Sequence, residues 1–281
     1  MTRIAVIIIN WNGYEDTREC LRSLTQCRTD SKIDVLVIDN YSTDRTEIMK
    51  LKKEFPDIST FRNAWNRGFT GANNQGFRWA LERQTDYVLI LNNDTVVEKD
   101  FLDLLLHTAR RYDKCIIGPK IIFYKSRKLQ NTGGKFSIFH GGRSWHKNKN
   151  AGEYTKMYRP DFLSGCCWLM PIRALNEVGY FDDHFFAYAE DVDYSFRARS
   201  AGYQLIVDGR SSIYHKHSAS TRGSCIKQYY RARNTGYLLK KYHYALFVRW
   251  VSLLTLGLIV IIHNRHLGCL KEFIRGARAP I

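Results

Sequence analysis

The feature that most limits what this chain can fold into is an alternation near its start: short β-branched runs, each followed by an amphipathic stretch of helix length. Residues 4–9, 34–39 and 87–91 are the clearest strands. Between them, residues 17–27, 45–55 and 69–83 carry apolar side chains at helical spacing, as Leu21 and Leu24, or Phe77 and Leu81, show. Alternation of this kind builds crossover units, so the expected fold class is α/β, with a mostly parallel central sheet flanked by helices. Each strand also ends in polar residues: Asn10-Trp11-Asn12-Gly13, Asp39-Asn40 and Asn92-Asn93-Asp94. Ligands of open α/β sheets bind beyond the carboxyl ends of the strands, so these three ends predict one polar crevice.

From residue 125 to 160 the pattern gives way to Gly, Lys, Asn and Ser with isolated aromatics, which reads as loop or a small irregular hairpin region. Order resumes over 162–171, followed by short helices over 173–178 and 191–201 and strands over 204–207 and 212–215. Residues 225–242 form a basic, aromatic-rich helix candidate, and residues 250–262 are an uncharged, mostly apolar run of 13 ahead of a basic finish, Arg265 to Arg278. A span needs roughly 20 apolar residues, so a helix lying in a membrane interface is expected; packing on the domain is the alternative. The reading divides the chain into a domain over 1–222 and a helical, basic, membrane-associating extension over 223–281.

With 281 residues and 44% hydrophobic content the chain can bury a sizeable core, which argues against disorder. The net charge of +16 is uneven: residues 201–281 hold 13 Lys and Arg against only Asp208 and Glu272. Such a tail suits nucleic acid, a diphosphate-bearing ligand or an anionic membrane, and charge does not choose among them. Lys240, Lys241, Arg249, Arg265, Lys271, Arg275 and Arg278 are the candidate headgroup or diphosphate contacts. Seven cysteines without C-x-x-C spacing, and no cleavable signal peptide ahead of the first strand, predict free thiols in a reducing, cytoplasmic setting. Cys166 and Cys167 read as small apolar residues of a buried strand.

Three places carry candidate chemistry. Asp94 leaves a strand where a carboxylate can hold a hard cation that bridges two phosphates, although Asn-Asn-Asp is also a common turn. Asp191, in Glu190-Asp191-Val192-Asp193, stands at a helix start. It reads as an N-cap, as a general base, or as both, since the helix dipole keeps an acid there ionised. His215 ends a strand and can complete a metal site begun by Asp94, with His217 as the competing register.

Seven collinear segments within about residues 4–235 resemble family 2 glycosyltransferases, especially the rhamnosyltransferase-like subset: 6–13 (VIIINWNG), 37–42 (VIDNYS), 66–76 (NRGFTGANNQG), 89–95 (LILNNDT), 164–169 (SGCCWL), 179–197 (GYFDDHFFAYAEDVDYSFR) and 215–221. The resemblance implies a GT-A fold and transfer, with inversion, of a sugar from a nucleoside diphosphate. It implies that Asp39 meets the base, that Asn10 and Asn12 lie near the nucleotide, and that Asn66, Gly68 and Asn74 surround the donor pocket. Asn92, Asn93 and Asp94 match the D-x-D element, with Asn92 in place of its first acid. Asp191 matches the general base, and Asp94 and His215 the ligands of a divalent cation, Mg²⁺ or Mn²⁺. Expected partners are a nucleoside diphosphate sugar, with dTDP-rhamnose favoured, a glycan or polyprenyl-diphosphate-linked acceptor in polysaccharide synthesis, and an anionic membrane surface, but no nucleic acid. The rival reading is an inactive nucleotide-sugar-binding scaffold subunit, motivated by Asn92. The expected location is the cytoplasm, peripherally on the inner face of the membrane.

Overall fold

The computed structural model describes residues 1–137, 141–144, 149–216, 225–263 and 267–280. In chain order these form β1 (Arg3–Asn10), α1 (Tyr14–Thr25), β2 (Lys32–Asp39), α2 (Glu47–Glu54), β3 (Ser59–Arg62), α3 (Gly68–Glu82), β4 (Tyr87–Asn92), β5 (Thr95–Val97), α4 (Phe101–Ala109) and β6 (Cys115–Phe123). There follow β7 (Leu129–Asn131), β8 (Gly134–Ser137), β9 (Gly141–Ser144), a 3-10 turn (Ala151–Glu153), β10 (Met157–Tyr158), β11 (Cys167–Pro171), α5 (Ala174–Glu177), α6 (Glu190–Ser200) and β12 (Gln204–His215). Three helices end the chain: α7 (Ile226–Lys241), α8 (Leu246–His263) and α9 (Leu267–Ala277).

The central sheet runs β10-β12-β6-β11-β4-β1-β2-β3, with β5 added to β12 and β7 to β6. Its β3-β2-β1-β4 block is parallel, as the alternation of strands and helices predicts, and so is the β6–β12 pair. Antiparallel β11 joins the two blocks, which makes the whole sheet mixed. The expected strands 204–207 and 212–215 are one strand, β12, whose register shifts between Asp208 and Ser212. There the buried Asp208 carboxylate accepts bonds from the Arg210 N–H and from Thr108, and thereby satisfies the interrupted ladder. The hairpin expected within 125–160 is β8–β9.

β1 reads as an unbroken apolar run because it is covered on both faces. Ile4, Val6 and Ile8 point to one side, against Leu21 and Leu24 of α1, while Phe101 and Leu105 of α4 belong to the same core. Ala5 and Ile7 point to the other, where Phe77 of α3, Trp168 of β11 and Tyr194 of α6 lie. Full burial of each large aliphatic side chain contributes roughly 1.5–3 kcal/mol. Gly76 allows α3 to approach, since any side chain there would run into Ile7. Both cores leave the carboxyl ends of β1, β2 and β4 together at one edge.

The last three helices form a small core of their own from Ala232, Leu256, Val260, Cys269 and Phe273. Packing of α9 on α7 brings the Cα atoms of Cys225 and Cys269 to 4.5 Å, and these two cysteines are joined in a disulfide. The expectation of seven free thiols is thereby corrected: Cys20, Cys27, Cys115, Cys166 and Cys167 are free. The apolar run 250–262 lies within α8 and is two-sided. Leu256 and Val260 turn inward, while Trp250, Leu254, Leu258, Ile261 and Ile262 join Leu246 and Phe247 in an exposed stripe. Among the described residues no helix is long and apolar enough to cross a membrane. The boundary expected at 222/223 falls ahead of α7, a helix whose side chains bond the segment that leads into α6. Arg265 and His217 lie outside the described residues.

Candidate active site

At the end of β2 the Asp39 carboxylate is wholly buried. It accepts bonds from Asn10 Nδ2 at 3.1 Å and from Ser42, and it is ion-paired to Arg62 at the end of β3. Asn10, equally buried, also donates to Glu47 at 2.8 Å, and its Oδ1 accepts from Thr17 at 2.7 Å. Thr17 in turn accepts from Asn93 Nδ2 at 3.0 Å, so one chain of bonds links the ends of β2, β1 and β4. Gly13 is needed for this, because a side chain there would collide with the Asn93 amide. Asn12 is exposed at φ 50°, its N–H on Ser42 and its Oδ1 accepting from Thr43. Trp11, Tyr41 and Trp65, each just past a strand end, remain exposed at the mouth.

The residues around the start of α3 divide by role. Asn66 accepts from Asn40 and from the Gly68 N–H, fixing the turn into the helix. Gly68 sits at φ 71° with Phe186 where a side chain would be, so glycine is required on both counts. Asn74, read from sequence as a donor contact, spends its amide inside the protein. Its Nδ2 donates to Phe181 O and Asp183, and its Oδ1 accepts the Phe181 N–H.

At the β4 end, Asn92 donates its N–H to Cys166 O at 2.9 Å. Asp94 Oδ1 and His215 Nε2 lie 3.1 Å apart, both little exposed, although β12 delivers His215 from more than a hundred residues away. The other imidazole nitrogen, Nδ1, is 3.1 Å from Gln130 Oε1. Burial lowers the affinity of His215 for a proton, but Cys166 and Asp94 outweigh it and raise the pKa well above its ordinary value. No group of three His, Cys, Asp or Glu placed to hold a metal ion occurs among the described residues. A carboxylate and an imidazole oriented by a further partner nevertheless fit a cation that takes its remaining ligands from phosphate and water.

Asp191 lies in the first turn of α6, but it is not the N-cap: that position is Ala189, whose side chain makes no capping bond. Asp191 Oδ2 accepts the Gly165 N–H at 3.2 Å, and Oδ1 the N–H of Val192 at 2.9 Å. Burial raises its pKa, these two bonds oppose the shift, and the net value stays above the ordinary one. Neighbouring Glu190 is raised further, by burial and then by the Asp191 charge. One short segment thus touches several of the candidate residues: Gly165 holds Asp191, and Cys166 holds Asn92 and meets His215.

Residues 181–190, which lead into α6, are bonded from two sides. From α3, Phe69 N–H reaches Phe186 O and Thr70 reaches Phe185 O. From α7, Lys241 is ion-paired with Asp182 and Asp193 at 2.7 Å each, Tyr237 donates to Asp182, and Arg233 donates to His184 O. Lys241, read from sequence as a headgroup contact, is therefore committed inside the protein. The sequence reading also missed Arg62 and Asn234; Arg62 ends a short strand with no periodic signal, and Asn234 is a poor helix former mid-helix whose only clue was its residue type. A cleft at the opposite, amino end of the strands, lined by Asp86, Arg110, Asp113 and Arg173, contains none of these groups.

The profile of the family described as Glycosyl transferase family 2 matches residues 5–179. The chain belongs to that family. Over 245 residues, 78% of this chain and 77% of the relative, it is 25% identical to the N-acetylglucosaminyl-diphospho-decaprenol L-rhamnosyltransferase of Mycobacterium tuberculosis H37Rv. It is 24% identical over 199 residues to the low-salt glycan biosynthesis hexosyltransferase Agl10 of Haloferax volcanii, covering 70% of this chain and 61% of that one. Its fold is similar to that of GalNAc-T7, solved with UDP, GalNAc and Mn²⁺, with a TM-score of 0.66 and 14% identity over 91% of this chain and 54% of that chain. It is also similar to that of S. aureus TarS 1-349, with a TM-score of 0.57 and 15% identity over 99% and 81%. The expected GT-A architecture is the one these structures share with it.

Proposed function

We propose that the chain is an inverting, metal-dependent glycosyltransferase that moves rhamnose from dTDP-rhamnose to a hydroxyl of a polyprenyl-diphosphate-linked glycan at a membrane surface. The observation that carries this is the common anchoring of Asp191 and of the end of β4, which leads to Asp94 and its partner His215, to consecutive residues: the Gly165 N–H holds Asp191 and the Cys166 carbonyl holds the Asn92 N–H. A base and a diphosphate-binding end held by one rigid segment suit a single displacement. Asp191 takes the proton of the acceptor hydroxyl, and that oxygen bonds to the anomeric carbon. The bond from that carbon to the diphosphate oxygen breaks, and its electron pair leaves with the nucleoside diphosphate. Asp94 and His215 would hold Mg²⁺ or Mn²⁺, which when bound neutralises the charge that develops on the leaving diphosphate. Asp39, with Asn12 and the exposed rings of Tyr41 and Trp65, serves the nucleoside end.

The rhamnosyl donor and lipid-linked acceptor draw support from the name of the mycobacterial relative. The membrane surface draws support from the exposed stripe of α8 and from the basic residues that follow it in the chain, Lys271, Arg275 and Arg278, with Arg249 within α8 itself. The test is transfer from dTDP-rhamnose to N-acetylglucosaminyl-diphospho-decaprenol with Mn²⁺, with product stereochemistry determined and Asp191→Asn as control. Transfer by the wild type and none by the variant is expected. Binding of the donor without turnover would return the scaffold reading.

A further inference from the structure

Tyr188 and Ala189 both sit at φ 71°, a left-handed conformation that residues with side chains seldom adopt, and Glu190 and Asp191 follow directly. The backbone therefore turns sharply just before it delivers the base. One side chain outside the loop acts on this turn twice. Asn234, wholly buried in α7, donates Nδ2 to Ala187 O and to Tyr188 O, each at 2.8 Å. Its Oδ1 accepts from Arg233 at 2.9 Å, and Arg233 also holds His184 O, so the amide has one orientation. An unusual backbone conformation persists only where its surroundings over-determine it, and here the amide bonds the carbonyl that immediately precedes each of the two strained residues.

Resting on the reading of Asp191 as base, we propose that Asn234 is a positioning residue for it: α7, counted by sequence in the C-terminal extension, holds the turn that aims Asp191. The extension is then a component of the active site as well as a candidate anchor. A glycine at 189 adopts a positive φ without steric cost, so it should preserve the turn where the amide is gone.

The experiment compares wild type, Asn234→Ala, Asn234→Ala with Ala189→Gly, and Asp191→Asn, all as full chains. Hydrogen exchange is read over residues 185–194, and transfer is measured with dTDP-rhamnose, Mn²⁺ and N-acetylglucosaminyl-diphospho-decaprenol. Asn234→Ala should exchange faster in that segment and lose at least tenfold in kcat while its Kd for dTDP-rhamnose stays within twofold. Adding Ala189→Gly should recover at least threefold of the lost kcat. Asn234→Asp keeps the size and the acceptor for Arg233 but loses both donated bonds, and it carries the same comparison should Asn234→Ala not fold. Wild-type exchange and kcat in the Asn234 variants, or a loss of kcat untouched by Ala189→Gly, overturns the proposal. Wild-type turnover by Asp191→Asn overturns the base instead, and an absence of transfer by the wild type overturns the substrates; in both cases the exchange measurement still reads the positioning.

Discussion

His215 closes on Asp94 at 3.1 Å from more than a hundred residues further along the chain, and its second nitrogen is backed by Gln130 of β7, a strand that pairs with β6. The proposed ligand pair, assembled this way, depends on each member and on the backing residue. Asp94→Ala and His215→Ala should each weaken Mn²⁺-dependent binding of dTDP-rhamnose by at least about tenfold, and Gln130→Leu by about 10–100-fold in metal affinity. Calorimetry with and without EDTA checks this, and equal donor affinity of the wild type under both conditions contradicts it.

Asp191→Asn should lower kcat by about 10²–10⁴ while donor affinity stays within a few-fold, because the base acts on the acceptor. The base works only when ionised, and its pKa is raised by burial against the opposing Gly165 and Val192 bonds. Activity should therefore fall off with acidification at a pH above the ordinary carboxylate value of about 4. An acid limb at or below that value in the pH profile of kcat excludes Asp191.

Lys241 neutralises two acids, of which Asp193 is wholly buried. Lys241→Met should cost about 1.5–3 kcal/mol at neutral pH, since Asp193 loses one of its two cations and keeps only Arg197. Burial alone would raise the pKa of Asp182, but the bonds from Lys241 and His184 prevail and depress it. The stabilisation from Asp182 is complete above its unfolded value of about 4 and is lost as pH falls through the depressed folded value. The gap between wild type and variant in urea melts should narrow in acid; a gap independent of pH contradicts the pairing.

The α8 stripe should bind the full chain to anionic liposomes, with only partial release by high salt, because apolar burial survives screening and headgroup attraction does not. Phe247→Ser with Leu254→Ser alters two exposed positions and should abolish sedimentation without lowering the melting temperature. Retained sedimentation would remove α8 as the anchor.

Alkylation of the unfolded, unreduced chain should modify five cysteines, and two more after reduction, as the Cys225–Cys269 pair requires. Modification of all seven before reduction contradicts that pairing.

The α/β alternation was legible because β1, β2 and β4 are covered on both faces and so appear as apolar runs with polar ends. The sequence could not reveal what each polar end faces. Asn10 and Asn74 were read as donor contacts, yet both amides are consumed inside the protein, Asn10 holding Asp39 and Asn74 holding residue 181. Lys241 and Cys225 belonged by composition to a free basic tail, and only the docking of α7 commits one to buried acids and the other to Cys269. β12 appeared as two strands because Asp208-Gly209-Arg210 interrupts its apolar pattern where the register shifts.

The two-sided bonding of residues 181–190 also fixes when the proposed base would become competent. Its supports come from residues near 70, made early, and from residues 233–241, made more than forty positions after Asp191 itself. A growing chain that has already completed α6 and the whole sheet still lacks half of what aims its carboxylate. On the reading proposed above, catalytic competence is thus a late event in the life of each molecule, reached only when the helix that leads to the candidate membrane anchor has docked.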